Sequence, residues 1–346
     1  MRFSKDLPIS NSPKIESATP DAALPGGEIE IRGSQLGASP PRQPLAVVDG
    51  VPVPVLLSRS NRMIVRVPEE AQSGKFEIRQ NGRSSNAIHL KIARLLADNL
   101  HPVGNPAVDA QGNIYATFSG PRGQKVPVSI FRIDPSGDAQ PFVSGIMNAT
   151  GLAMDSRGHL YVSSRYDGTV HRVSPEGATS IYAEGMGIAT GIAFDAAGNL
   201  YVGDRSGTIF KIAQDRQIFV FATLEPSIAA YHLAFGLDGT LFVAAPTTSS
   251  FDSVYAIDQD GVVRVYYRGL GRPQGLAVDL AGNLYVSASF RGRRGIVSIT
   301  PSGEASLVLA GSGIVGLAFV PGGNTIVATN NAVYDVALRI EGVRLF

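Results

Sequence analysis

A carboxylate recurs at a fixed place in a repeated phrase of this sequence, which is where a metal site would first be sought. The phrase is GLAMDSRGHLYV at 151–162, GIAFDAAGNLYV at 191–202 and GLAVDLAGNLYV at 275–286. A calcium site needs several carboxylate or carbonyl oxygens that converge on one ion. A single Asp can instead accept hydrogen bonds from the N–H groups of a tight turn in which glycine is left-handed. We therefore interpret Asp-x-x-Gly-Asn as a structural turn.

Arginine is the second residue type with chemistry to offer. The loops between the repeated phrases carry the cations Arg122, Lys125, Arg165, Arg205, Arg268, Arg272, Arg291, Arg293 and Arg294. Acidic residues offset them only partly, and aromatic residues such as Tyr166 and Phe251 lie among them. Guanidinium groups with aromatics suit anionic or planar ligands, including single-stranded RNA. The alternative is an ordinary solvated rim of weak Arg–Asp pairs.

The repeats themselves determine how these residues are positioned. Aligned on the Asp, six copies are 40–46 residues apart, at Asp109, Asp155, Asp195, Gly236, Asp279 and Val320. Each copy holds four short segments rich in β-branched and aromatic residues, bounded by turn residues. Four short strands repeated about every 40 residues are typical of a β-propeller. We predict an all-β protein with a six-bladed propeller over 94–346. Residues 94–98 should complete the sixth blade, with 341–346 as the second choice.

The phrase GLAVDLAGNLYVSAS and its copies resemble NHL repeats. The six-unit array resembles the wider superfamily of NHL and gluconolactonase-like propellers, over roughly residues 94–346. This resemblance implies the propeller fold. It leaves function open, because the superfamily includes lactonases, lyases and binding modules.

Residues 11–93 do not share the repeat. Alternating segments such as GEIEIRG indicate half-buried antiparallel strands, with turn signals every 8–12 residues. The stretch SATPDAALPGGEIEIRGSQLG at 17–37 and RMIVRVP at 62–68 resemble the IPT/TIG family. That resemblance implies an immunoglobulin-like β-sandwich for adhesion, substrate presentation or spacing. Residues 1–10 form an N-terminal tail.

Propeller topology separates two faces. The Asp-x-x-Gly-Asn and Pro-x-Gly turns share one, which we call the turn face. The loops before strand one and between strands two and three share the other, the variable face, where loops differ as binding loops do. The residues immediately before strand one's Gly, at the channel mouth, are Gly104, Thr150, Thr190, Tyr231, Gln274 and Val315.

Gluconolactonase-like enzymes hold a metal with Glu, Asn and Asp side chains at these mouth positions. None of the six residues here is a carboxylate or Asn. The five His are too scattered for a zinc site, which needs three ligands. His232 replaces the usual Gly, and we interpret it either as a ligand-binding residue or as a packing residue bonded to backbone. We predict no metal, no cofactor and no catalytic residues.

Composition sets further bounds. The chain has 346 residues and no Cys, which removes disulfides, thiolate metal sites and Cys nucleophiles. The formal net charge of +1 excludes a globally basic nucleic-acid binder but not a local patch. No run approaches 18 apolar residues, so no membrane span is predicted. No signal peptide is visible, so the default location is cytoplasmic, or extracytoplasmic if a targeting segment is missing.

These observations favour a non-enzymatic binding or scaffolding protein. Its ligand, a protein, a carbohydrate or a small anion, should bind the variable face. The predicted site residues are Tyr231, His232, Gln274, Thr150, Thr190, Arg165, Arg205, Arg291, Arg293 and Arg294. The first alternative is a metal-dependent hydrolase or lyase of the gluconolactonase-like superfamily. The second is binding of RNA or another anionic polymer, which is less favoured.

Overall fold

The computed structural model of the chain describes residues 12–37, 43–249 and 251–343. The predicted tail, 1–10, lies outside the described residues. Two compact units are present, Met1–Ala93 and Arg94–Phe346. The strands of the first unit are β1 (Lys14–Thr19), β2 (Ala22–Ala23), β3 (Glu28–Ser34), β4 (Leu45–Val48), β5 (Val51–Val53), β6 (Val55–Arg59), β7 (Arg62–Arg66), β8 (Gly74–Gln80), β9 (Arg83–Ser84) and β10 (Ile88–Ile92).

The first unit contains two sheets of a β-sandwich. One has the order β1-β3-β7-β6, and the other contains β2-β10-β8-β4-β5 with β9 beside β8. Alternate residues of the central strands, such as Ile29 and Ile31 on β3, are completely buried. The two isoleucines of the segment GEIEIRG therefore face the core, while Glu30 between them is 9% exposed and its carboxylate pairs with Arg62 at 2.9 Å.

The second unit contains six blades of four strands each, so the predicted all-β class with a six-bladed propeller is confirmed. Blade one is β12–β15, blade two β16–β19, blade three β20–β23, blade four β24–β27 and blade five β28–β31. The strands are β11 (Arg94–Ala97), β12 (Ala107–Val108), β13 (Ile114–Thr117), β14 (Ile130–Ile133), β15 (Ala139–Val143), β16 (Ala149–Met154), β17 (Leu160–Ser164), β18 (Val170–Val173), β19 (Thr179–Ala183), β20 (Ala189–Phe194), β21 (Leu200–Asp204), β22 (Thr208–Ile212), β23 (Ile218–Thr223), β24 (His232–Phe235), β25 (Leu241–Ala244), β26 (Asp252–Ile257), β27 (Val263–Leu270), β28 (Leu276–Val278), β29 (Leu284–Phe290), β30 (Arg293–Ile299), β31 (Ala305–Ala310), β32 (Ile314–Phe319), β33 (Thr325–Thr329) and β34 (Val333–Val336).

Blade six is assembled from both ends of the propeller. Its order is β11-β34-β33-β32, and β11 pairs antiparallel with β34. The predicted closure by 94–98 is therefore confirmed. The alternative closure by 341–346 is wrong for the described part of that segment, because Val343 N–H bonds to Val278 O of blade five at 2.8 Å. Residues 344–346 lie outside the described residues.

Apolar clusters between neighbouring blades hold the ring together. Tyr161 of blade two meets the ring of Phe194 of blade three edge-on, with centroids 4.8 Å apart, and the ring of Tyr182 in its own blade at 4.9 Å. Such aromatic pairs contribute about 0.5–1.5 kcal/mol each beyond the area they bury. The blades thereby hold the inner strands in fixed positions around a central channel. Within the residues that the structure describes, no helix is long and apolar enough to span a lipid bilayer.

Candidate functional site

The recurring Asp turns are structural, as the sequence predicted. In blade one the Asp109 carboxylate accepts hydrogen bonds from the N–H groups of Gln111 and Asn113, at 2.9 and 2.8 Å. It also accepts one from the Tyr115 hydroxyl at 3.1 Å. Gly112 is left-handed, with φ of 83°. The same carboxylate contacts recur at Asp155, Asp195 and Asp279. These oxygens are engaged within their own turns, and no described group of three His, Cys, Asp or Glu could hold a metal ion.

The tyrosine six residues after each of these Asp residues was missed by the sequence analysis. Burial, together with the charge of the Asp, raises the pKa of Tyr115, Tyr161 and Tyr285 to about 12. The hydroxyl is therefore a permanent hydrogen-bond donor that links each turn to strand two. The repeated spacing Asp-x-x-Gly-x-x-Tyr was the available signal.

Six aligned positions of the inner strands lie at one level of the channel, and at the four that are glycine the neighbouring backbones approach closely. At Gly191, a Cβ atom would overlap the carbonyl oxygen of Tyr231 in the next blade, and at Gly275 it would overlap Oδ1 of Asn105. Only glycine allows this approach of neighbouring backbones. We call these positions the glycine ring: Asn105, Gly151, Gly191, His232, Gly275 and Gly316.

Two positions of the glycine ring carry side chains, and they belong to blades one and four, on opposite sides of the channel. Asn105 donates from Nδ2 to Leu276 O at 2.7 Å and accepts at Oδ1 from Leu317 N–H at 3.1 Å. It thus reaches from blade one to blades five and six. The imidazole of His232 reaches toward blade one, because a Cβ atom placed on Gly104 would lie 3.8 Å from its Cε1. The two side chains obstruct the channel at this level.

The His232 side chain is 6% exposed. Burial lowers its pKa to about 4, so the imidazole is uncharged at neutral pH. Among the described residues the ring nitrogens have no hydrogen-bond partner. The packing interpretation with a backbone hydrogen bond is therefore not what the structure contains. The ring lines a cavity instead.

This cavity, of about 800 Å³, occupies the channel beyond the glycine ring. The inner strands of the six blades line it, as do residues 109–111 and 155–158 of the turns in blades one and two. Because those turns belong to the turn face, the cavity reaches the turn face. The sequence analysis placed the ligand at the opposite end of the channel.

Three predicted mouth residues are buried and already bonded. Tyr231, Thr190 and Thr150 are 0%, 1% and 3% exposed. The Tyr231 hydroxyl donates to Glu225 O, and Thr190 Oγ1 donates to Gly203 O. Thr150 Oγ1 donates to Asn148 O at 2.9 Å. As a correction to the predicted site, a ligand on the variable face does not reach these side chains.

Arg165 and Arg205 are tied to backbone carbonyls of adjacent loops. Arg165 donates to Gly120 O and Arg205 to Ile228 O, each at 3.0 Å. Burial, and then the charges of Arg205 and Arg122, lower the pKa of Arg165. The described residues offer neither Arg165 nor Arg205 an ion-pair partner, so positive charge accumulates between blades two and three.

A second, smaller cleft lies on the variable face between blades five and six. Its volume is about 280 Å³. It brings together the predicted residues Gln274 and Arg294 with Arg272. Backbone, Ser287, Ser289 and Asn330 supply the remaining polar surface. Asn330 was missed by the sequence analysis, since it falls in the loop of the last repeat, which matches the others least.

The other two predicted arginines do not line this cleft. The guanidinium of Arg291 lies over the ring of Phe290, 4.9 Å from its centroid. Arg293 begins β30 and is half-buried. The predicted site is therefore divided: Gln274 and Arg294 share one cleft, Arg165 and Arg205 form another region, and His232, Thr150 and Tyr231 line the central cavity.

No protein-family model matches the chain, and no curated protein sequence is significantly similar to it. Many solved structures do match. A gluconolactonase from Xanthomonas campestris is similar, with a TM-score of 0.56, 15% identity, and coverage of 71% of this chain and 89% of the other. The chain shares its fold with gluconolactonase-like and virginiamycin B lyase propellers.

The lyase comparison is a virginiamycin B lyase from Staphylococcus aureus, with a TM-score of 0.51, 16% identity, and coverage of 70% of this chain and 96% of the lyase. An auxiliary nutrient binding protein from Bacteroides thetaiotaomicron gives a TM-score of 0.57 at 11% identity. That match covers 94% of this chain and 97% of the other, so it extends into the N-terminal unit. At these identities the likeness shows the fold alone.

Proposed function

We propose that this protein is a non-enzymatic binding protein that takes a small anionic ligand in the cleft between blades five and six. The observation that carries the proposal is the pair of guanidinium groups, Arg272 and Arg294, at a cleft with the amides of Gln274 and Asn330. A guanidinium group can donate two parallel hydrogen bonds to one carboxylate, and side-chain amides add directional hydrogen bonds.

No carboxylate of the described residues compensates the charge of the cleft. No carboxylate of the described residues lies within 4.0 Å of the guanidinium of Arg272 or Arg294 in an ion pair. No acidic residue lines the cleft. Ion pairs do occur elsewhere, as between Arg66 and Glu28 at 2.7 Å. An anionic ligand would supply the missing negative charge.

The side chains of the cleft favour binding over catalysis. General acid–base catalysis uses His, Glu, Asp, Lys, Tyr or Cys, and none of these lines the cleft. The Ser287 hydroxyl donates to Ile314 O at 2.7 Å and has no adjacent base. The cleft therefore contains groups that recognise an anion but none that would move a proton.

A likeness in fold to a described binding protein supports this proposal. One solved structure that covers both units is described as a nutrient binding protein. We further propose that the propeller repeats are of the NHL type and that residues 11–93 form an IPT/TIG-like domain that presents or spaces the propeller. The repeated phrase and the stretch at 17–37 support these assignments.

Isothermal titration calorimetry at low salt tests the proposal with gluconate, citrate and inorganic phosphate as probes. At least one of these anions should bind with one site per chain. The double substitution Arg272→Gln, Arg294→Gln should weaken that binding more than tenfold, because two charge-assisted contacts are lost. Arg157→Gln, an equally exposed arginine on the turn face, is the matched control and should leave affinity unchanged.

Two results would overturn the proposal. One is the absence of saturable binding for all three anions. The other is equal loss in the double variant and the Arg157→Gln control, which would indicate diffuse attraction to positive charge.

A second candidate function is binding of an anionic polymer across the variable face. The exposed rings of Tyr166 (47%) and Phe251 (71%) favour it, because bases stack on such rings. Titration of a fluorescent oligoribonucleotide at several salt concentrations distinguishes the two. Polymer binding should fall steeply with salt and should depend on Tyr166→Ala.

A further inference from the structure

The central cavity has a polar floor and apolar walls. Its floor is the glycine ring, where Asn105 and His232 obstruct the channel. Both polar atoms of the Asn105 amide are used, by Leu276 O and Leu317 N–H. His232 is 6% exposed, and among the described residues its nitrogens have no partner. Its uncharged imidazole presents one donor and one acceptor to the cavity. The ring nitrogens are not among the fully buried atoms that lack a partner, so they are accessible from the cavity and available to a ligand there.

The walls carry small apolar residues in register. The third residue of the repeated phrase is Ala in each blade, and five of these alanines remain half-exposed. They are Ala153, Ala193, Ala234, Ala277 and Ala318. Leucine, isoleucine and phenylalanine from the inner strands, such as Leu276 and Phe235, complete the lining. Because alanine fills little volume, the walls leave a space between the strands.

Charge is confined to the rim. Asp109 and Asp155 line the opening, but their oxygens are bonded within their own turns. Arg157 is an exposed rim residue. No charged side chain lies on the cavity side of the inner strands. A charged ligand would lose its hydration there without an opposite charge to compensate. The volume of about 800 Å³ falls within the range of small-molecule pockets. Polar and apolar atoms contribute about equally to the surface that lines the cavity, so a ligand there would need both kinds of surface.

We propose that the central cavity binds an uncharged organic molecule, part apolar and part polar, that enters from the turn face and places a hydrogen-bonding group on His232. This site is independent of the anion cleft, which lies between blades five and six on the variable face.

The absence of cysteine from the sequence allows a direct test. The probe is prodan, an uncharged naphthalene ketone whose emission shifts to the blue in apolar surroundings and to the red when its carbonyl accepts a hydrogen bond. Prodan should bind saturably, with one site per chain. In the variant Ala193→Cys the only thiol lies in the cavity wall. Prodan should slow its alkylation by N-ethylmaleimide at least fivefold. Ala281→Cys, an exposed residue on the turn face outside the cavity, is the control and should react at the same rate with or without prodan.

Two His232 variants test the floor. His232→Phe should weaken prodan binding at least fivefold and shift the bound emission further to the blue, because the hydrogen bond is lost. His232→Gln retains a donor and should restore most of the affinity. If His232→Phe does not fold, the thiol protection in Ala193→Cys decides alone.

The proposal is overturned if prodan does not bind saturably, or if it protects neither thiol or both equally. Unchanged prodan affinity in folded His232→Phe would overturn the role of His232. The double substitution of Arg272 and Arg294 should leave prodan binding unchanged, so failure here and failure of the anion site are distinguishable.

Discussion

On the turn face of the propeller, nearly the same loop recurs from blade to blade, whereas the loops of the variable face differ in length and composition. On the turn face the polar atoms are used locally, as Asp279 shows by bonding two backbone N–H groups and the hydroxyl of Tyr285. On the variable face, guanidinium groups such as Arg294 have no ion-pair partner among the described residues. The repeated loops therefore stabilise the fold, and the differing loops provide charge for recognition. The turn face is not purely structural, however, because the central cavity opens among the repeated turns.

The largest effect should come from removing a turn carboxylate. Asp279→Ala deletes several hydrogen bonds to a charged, buried group and should lower the free energy of unfolding by about 4 kcal/mol. Urea denaturation measures this loss. The matched variant is Asp238→Ala in blade four, whose carboxylate bonds only Thr240 in its own turn, at 3.0 and 2.9 Å, and should cost about 1 kcal/mol. Equal losses would mean that the Asp–Tyr linkage adds nothing.

The second effect concerns pH. His232 has a folded pKa of about 4, below the ordinary value of 6.5. As pH falls below 6.5 the unfolded chain takes up a proton that the folded chain does not. Stability should therefore decrease between pH 6.5 and 4, by on the order of 3 kcal/mol from this residue.

Urea denaturation at several pH values should show that decrease, and His232→Gln should remove it. His171 is the control histidine. Its pKa is lowered by burial and raised in part by Asp167 and Glu184, so its contribution should be smaller. An unchanged pH profile in His232→Gln would contradict the burial of a neutral imidazole in the channel.

The third prediction separates neighbouring arginines on the variable face. Arg294→Glu should weaken binding of whichever of gluconate, citrate and phosphate binds the unchanged protein more than tenfold, because it reverses a charge at the cleft. Arg291→Glu should change it less than twofold, since that guanidinium lies over Phe290. Calorimetry of the two variants under one buffer condition gives the ratio. Similar losses would mean that the whole rim attracts anions.

The smallest effect should follow metal addition. Calcium or zinc at millimolar excess should shift the melting temperature by less than about 1 °C, because no described cluster of His, Asp or Glu could hold the ion and a ligand that does not bind adds no stability. A rise of several degrees that EDTA reverses would mean that the Asp turns or the channel mouth hold an ion.

The sequence was sufficient to predict the propeller, because each blade repeats the same apolar segments and turns. Closure by residues 94–98 was also predictable, since that segment precedes the first repeat as an outer strand does. The site was predicted less well. Tyr231 stands next to the channel in sequence, but its hydroxyl is turned to Glu225 O and away from a ligand. Sequence position gives the level along the channel but not the side-chain direction.

The obstruction by Asn105 and His232 could not be derived either. Both replace glycine, but whether a side chain at that level fills the channel or leaves it open depends on distances between blades. Those distances are set by packing among residues far apart in sequence. Gln274 and Arg294 both belong to blade five, and Asn330 of blade six completes the cleft that they line. That blades five and six are neighbours follows from the order of the repeats.

The closure of blade six also has a consequence in time. Arg94 of β11 and Asp335 of β34 are 241 residues apart and meet in the finished sheet. At a synthesis rate of roughly 5–20 residues per second, β11 leaves the ribosome about 10–50 s before its partner exists. During that interval its backbone N–H and C=O groups have no native neighbour. On a polysome, a completed β34 from the chain ahead could pair with the waiting β11 of the chain behind, and the product would be a strand-exchanged dimer.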